Sequence, residues 1–123
     1  MSDSRANPNT APDDTGRLVE TIRAALENKK GDQIAVLDVR GRSTLTDFLI
    51  LASGSSPPHL KALRNDLLQT LKASGVASLH KAGDPESGWV VLDYGAVIVH
   101  LFLPAMRAYY ALEALWSPHT RQP

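Results

Sequence analysis

The stretch from Trp89 to Phe102 constrains this chain most. It holds two apolar runs, Trp89 to Asp93 and Ala96 to Phe102, parted only by Tyr94-Gly95. So short a break between β-prone segments marks a hairpin. With Tyr94-Gly95 as the turn, Asp93 pairs with Ala96, Val91 faces Ile98 and Trp89 faces His100. Strand alternation then sorts the side chains. Val90, Leu92, Val97, Val99 and Leu101 form an aliphatic face that must lie against helices. Trp89, Val91, Asp93, Ile98 and His100 form a mixed face that a closed core would not choose, and so a candidate recognition surface.

The remaining patterns supply the helices and further strands. Leu18, Ile22 and Leu26, with Val19 and Ala25, make one apolar stripe from Arg17 to Gly31, an amphipathic first helix. Ile34-Ala35-Val36-Leu37 and Phe48-Leu49-Ile50-Leu51-Ala52 are short continuous apolar runs bounded by turn residues, as in strands buried on both faces. Leu60, Leu63, Leu67, Leu68 and Leu71 share one helical side between Pro58, suited to a first turn, and Gly75, suited to a C-terminal cap. Val76 to Ala82 is a weak strand candidate, followed by the loop Gly83 to Gly88. Pro104 opens a last helix, with Tyr109, Leu112 and Trp116 on one face, ending near Ser117-Pro118. The expected order is α-β-β-α-β-β-β-α. This is an α/β chain with a mixed sheet of about five strands and helices packed on it.

Length bounds this to one domain, expected over 17–117 with a C-terminal tail at 118–123. Residues 1–16 hold no aliphatic residue larger than alanine after Met1, and are expected to be a disordered tail. Thirteen basic residues balance thirteen acidic ones. A neutral chain lacks the surplus of Lys and Arg that strong nonspecific nucleic-acid binding needs. The absence of cysteine excludes disulfide scaffolds, zinc ribbons and thiol nucleophiles. No apolar run suits a membrane helix, and the first residues resemble neither a secretory signal nor a transit peptide, so the cytoplasm is the expected compartment.

The acids near the mixed face in sequence are Asp84, Glu86 and Asp93, a set that suits a basic partner. A tryptophan beside carboxylates is the composition of a protein-binding hot spot. The alternative is a Trp89 that fills a core with His100 hydrogen-bonded to it; the residues leave both open. His59, His80, His100 and His119 are spread without ligand spacing, so no metal or other cofactor is expected. Ser53-Gly54-Ser55-Ser56, between a strand and a helix, offers backbone N–H groups to an anion and looks like the Gly-Ser turn of nucleotidyltransferases. The carboxylates that hold Mg²⁺ in such enzymes are missing, because Asp66 lies within the leucine-rich helix and Asp84 and Glu86 in a distant loop. A strand-to-helix turn capped by a serine hydroxyl is the favoured reading, with no catalytic residues.

Taken together, the segment from Thr46 to Ser56, His59, Gly88 to Gly95, Val97 to Phe102 and Arg107 to Trp116 resemble the ribosomal silencing factor family (RsfS, Iojap or YbeB). The likeness spans about Leu18 to Trp116. It implies a non-enzymatic protein with a nucleotidyltransferase-like α/β fold. It implies binding to the large ribosomal subunit through its protein fourteen (uL-fourteen), blocking association with the small subunit and repressing translation when nutrients are scarce. It also implies a possible homodimer. By the same resemblance Trp89 matches the partner-contacting tryptophan, and Asp93, Tyr94 and His100 match motif positions of the hairpin. Asp47, Arg107, Tyr110, Glu113 and Trp116 match motif positions without an assigned role. Pro57-Pro58 and Ala82 depart from the family pattern, which places a small polar residue and arginine after the Gly-Ser-Ser turn and a glutamate at position 82.

Overall fold

The structure, a computed structural model, describes residues 13–106. Its elements run α1 (Asp13–Asn28), β1 (Asp32–Asp38), β2 (Phe48–Ser53), α2 (Pro57–Ala73), β3 (His80–Asp84), a 3-10 turn (Pro85–Ser87), β4 (Trp89–Asp93) and β5 (Val97–Phe102). The expected last helix with Tyr109, Leu112 and Trp116, residues 1–12 and the tail 118–123 lie outside the described residues, as do the motif positions Arg107, Tyr110 and Glu113.

The five strands form one mixed sheet in the order β1-β2-β5-β4-β3. β2 and β5 run parallel, and every other neighbouring pair is antiparallel. A parallel pair needs a long crossover, and the path from β2 to β5 through α2, β3 and β4 provides it. Both helices pack on one face of the sheet. There Val19, Ile22 and Leu26 of α1 and Leu60, Leu63, Leu67 and Leu71 of α2 close over Phe48, Ile50, Val90, Leu92, Val99 and Leu101. None of the described helices is long and apolar enough to cross a membrane.

Helix α2 has the ends its sequence announces. Ser56 caps the N-terminus, its hydroxyl accepting the N–H of His59, and prolines occupy the first turn. At the other end Gly75 takes a left-handed conformation at φ +89. The N–H groups of Gly75 and Val76 then donate back to Lys72 and Leu71, a Schellman closure.

Three boundaries differ from expectation. Helix α1 starts at Asp13, ahead of Arg17. The apolar period is blind to this first turn, where Asp14 stands at the positive end of the helix dipole. β1 is an edge strand with Ile34 to Leu37 only half-buried, whereas β2, inside the sheet, is buried along its whole length. β3 lies at His80–Asp84 instead of Val76 to Ala82, and all of it is exposed, so no apolar alternation marks it.

The hairpin turn also sits one residue further on. Tyr94 N–H donates to the Val97 carbonyl at 2.9 Å, leaving Gly95 and Ala96 as the central pair. Gly95 has φ +85 while Ala96 stays negative, the pattern of a type II′ turn with glycine first. Tyrosine would be strained at that first position. The register becomes Asp93 opposite Ile98, Val91 opposite His100 and Trp89 opposite Phe102. A slip of two positions preserves the faces, and Val90, Leu92, Val97, Val99 and Leu101 are indeed the buried ones.

Candidate functional site

Trp89, Val91, Asp93, Ile98 and His100 are each partly exposed on the sheet face opposite the helices. Trp89 stacks on Phe102, its cross-strand partner, with ring centroids 5.3 Å apart and planes at 27°. His100 stacks on the same Phe102 at 5.9 Å and 7°. The indole N–H of Trp89 then donates to Nδ1 of His100 at 3.1 Å, across the diagonal of the ladder. Phe102 itself is fully buried, so it forms the floor beneath two partly exposed rings. Burial pushes the His100 imidazole down to about 4. The ring is therefore neutral at physiological pH and able to accept the indole proton.

The sequence-derived residues divide between the two ends of β4. Asp84 is paired with Trp89 in the β3–β4 ladder, and Glu86 follows in the adjoining 3-10 turn. One oxygen of Asp84 accepts the N–H of Ser87 at 3.0 Å, so this carboxylate also fastens that turn. Glu86 is exposed. Asp93 stands at the far end of the strand, where its Oδ1 accepts the N–H of Gly95 at 2.8 Å and steadies the hairpin turn.

Tyr94 does not belong to the open face. It continues the Val90 and Leu92 side of β4 into the helix-covered core and is only 7% exposed. Its hydroxyl is buried without a hydrogen-bond partner. Desolvation raises its acidity constant to about 12. A contact role for Tyr94 is corrected by this placement.

Two contributors were not among the sequence-derived site residues. Phe102 was hidden by the slipped register, which left it beyond the end of the paired strand. Leu79, 68% exposed, sits against the hairpin turn and donates its N–H to the Asp93 carbonyl at 2.7 Å. Its position before β3 gave no periodic signal.

The Ser53 to Ser56 turn is closed by internal hydrogen bonds. Gly54 N–H donates to the Phe102 carbonyl at 2.9 Å. Ser55 N–H donates to Nδ1 of His59 at 2.9 Å, and His59 N–H donates to the Ser56 hydroxyl at 3.2 Å. Donors that would cradle a phosphate are thus engaged within the protein, which fits the capped turn.

The mixed sheet, the helices on one face and the aromatic cluster on the other define a small α/β protein with a preorganised surface site. Residues 12–123 match the family model described as ribosomal silencing factor during starvation, and the chain belongs to that family. A ribosomal silencing factor of Chromobacterium violaceum is 42% identical over 93 residues, 76% of each chain. That of Haemophilus influenzae is 35% identical over 100 residues, 81% of this chain and 98% of that one. The mouse protein named mitochondrial assembly of ribosomal large subunit protein 1 is 28% identical over 119 residues, covering 94% of this chain and 52% of its own. A crystal structure of a Chromobacterium violaceum protein superposes with a TM-score of 0.79 at 37% identity, over 87% of this chain and 88% of that one. One from Bacillus halodurans gives 0.73 at 32% identity, over 81% and 93%.

Proposed function

We propose that this chain silences ribosomes by occupying the large subunit at its protein fourteen, so that the small subunit has no place to dock. The mechanism is steric occlusion in the cytoplasm, with no bond made or broken. Membership of the silencing-factor family supports a ribosomal role, and the name of the mouse relative ties that protein to the large subunit.

The observation that carries the reading is the locked Trp89. A partly exposed tryptophan held by a ring beneath it and a hydrogen bond at its edge loses little side-chain entropy on binding. Large rigid aromatics of this kind dominate binding energy at protein interfaces. Asp84 and Glu86 lie beside it and give the surface the negative charge that a basic ribosomal protein would meet. Asp93 extends the same face toward Leu79.

An enzyme on this scaffold is disfavoured because the Gly54-Ser55 N–H groups are already bonded to Phe102 and His59. Purified small and large subunits mixed with excess protein test the proposal. Whole-ribosome formation, followed by light scattering, is expected to fall as the protein is added. Undiminished association would contradict occlusion.

A further inference from the structure

The two nitrogens of His100 are in different situations. Nδ1 is paired with the indole N–H of Trp89. An indole nitrogen can only donate, so Nδ1 must present its lone pair and the single proton of the neutral ring resides on Nε2. That Nε2–H has no hydrogen-bond partner. Nor is it sealed off, because among the described residues the Tyr94 hydroxyl alone is a buried side-chain polar atom without a partner. Nε2–H therefore reaches the surface of the open face. The ring cannot swing it away freely, since it is stacked nearly parallel on Phe102 and flanked by Leu51 on β2 and Val91 on β4.

We propose that His100 sets the chemistry the Trp89 face accepts: a fixed Nε2–H donor beside an aromatic anchor, selecting a protein segment that presents an oxygen acceptor at that point. A main-chain carbonyl or an amide or carboxylate oxygen satisfies it. A lysine or arginine head at that spot would oppose donor to donor. This inference rests on the docking role proposed for Trp89, and it makes His100 both the positioning residue of the indole and a direct contact.

Two measurements on the full chain test it. Nitrogen-15 NMR of the free protein is expected to show His100 as one neutral tautomer protonated at Nε2 at neutral pH. Protonation at Nδ1, or averaging between tautomers, would overturn the proposal without reference to any partner. Binding to purified large subunits is then compared for wild type, His100→Asn, His100→Gln and Trp89→Ala. Asparagine can accept the indole proton from the Nδ1 position but is too short to replace the outward donor, so it is expected to keep the Trp89 indole resonance and bind about tenfold more weakly. Glutamine, long enough to place an amide N–H near the Nε2 position, is expected to bind more tightly than asparagine. Equal binding by wild type and His100→Asn, or by the two amides, overturns the donor role. Wild type that does not bind large subunits overturns the docking reading and the partner class with it, an outcome the NMR result separates from an error in the tautomer.

Discussion

His59 Nε2 lies 2.9 Å from the main-chain oxygen of Lys29, and its Nδ1 accepts the N–H of Ser55 at 2.9 Å. One neutral ring thus ties the chain just past the end of α1 to the turn before α2. Replacing His59 with Leu leaves a carbonyl and an N–H without their partner at a partly solvated site. The expected loss is about 1 kcal/mol of stability, with faster hydrogen exchange at Ser55. A denaturant titration reads it, and an unmoved midpoint would show the bridge to be idle.

Gly83 is required by its surroundings. At φ +73 it stands where a Cβ would lie 2.1 Å from the Trp89 carbonyl oxygen. Gly83→Ala must push β3 off β4 or distort the start of β4 at Trp89. A destabilisation of about 2 kcal/mol or more is expected. Thermal unfolding together with exchange of the β3 amides measures it; a variant as stable as wild type would contradict the close approach.

Tyr94 buries a hydroxyl that bonds to nothing. Removing an unsatisfied buried polar group relieves its desolvation, so Tyr94→Phe should leave stability unchanged or raise it by up to about 1 kcal/mol. Affinity for large subunits should also be unchanged, because the ring faces the core. Weakened binding by a folded variant would return Tyr94 to the contact surface.

Acid should weaken the protein through His100. Its folded value is about 4 against an ordinary 6.5, and burial is the cause. Leu51 and Val91 flank it, and the titratable groups on the same face of β3 and β4 are His80, Asp84 and Asp93. Above pH 6.5 neither state is protonated at this residue and its contribution is complete. Between 6.5 and about 4 the unfolded chain binds a proton that the folded chain refuses, so stability falls with falling pH across that window, by about 3 kcal/mol in all. Urea titrations over this range should show His100→Asn losing less stability than wild type. Parallel losses would contradict the buried neutral ring.

The parts of the fold legible in the sequence are those where one physical signal dominates. Helix α2 combines an apolar period with proline at its start and glycine past its end, and each does what its chemistry dictates. The faces of β4 and β5 survived a misplaced turn because a two-position slip leaves strand parity intact. Parity also places Tyr94 with Leu92 and Val90; reading it as a turn residue concealed that. β3 could not be read, since an exposed edge strand of His80, Lys81, Ala82, Gly83 and Asp84 is held by backbone pairing that no side-chain pattern reports.

Within the candidate site, the closeness of Trp89 and His100 followed from the hairpin, while the floor beneath them did not. Phe102 became visible only with the true register. The local bonds from Asp84 to Ser87 and from Asp93 to Gly95 depend on turn geometry, which composition does not carry.

Sedimentation of the protein with separated subunits, wild type beside Trp89→Ala, tests the central claim most directly. Wild type should travel with the large subunit and not the small. The variant, shown by circular dichroism to be folded, should bind more weakly by about 2 kcal/mol or more, which is roughly thirtyfold. Wild type remaining at the top of the gradient with both subunits, or a folded variant that binds as well as wild type, would contradict the role assigned to the Trp89 face.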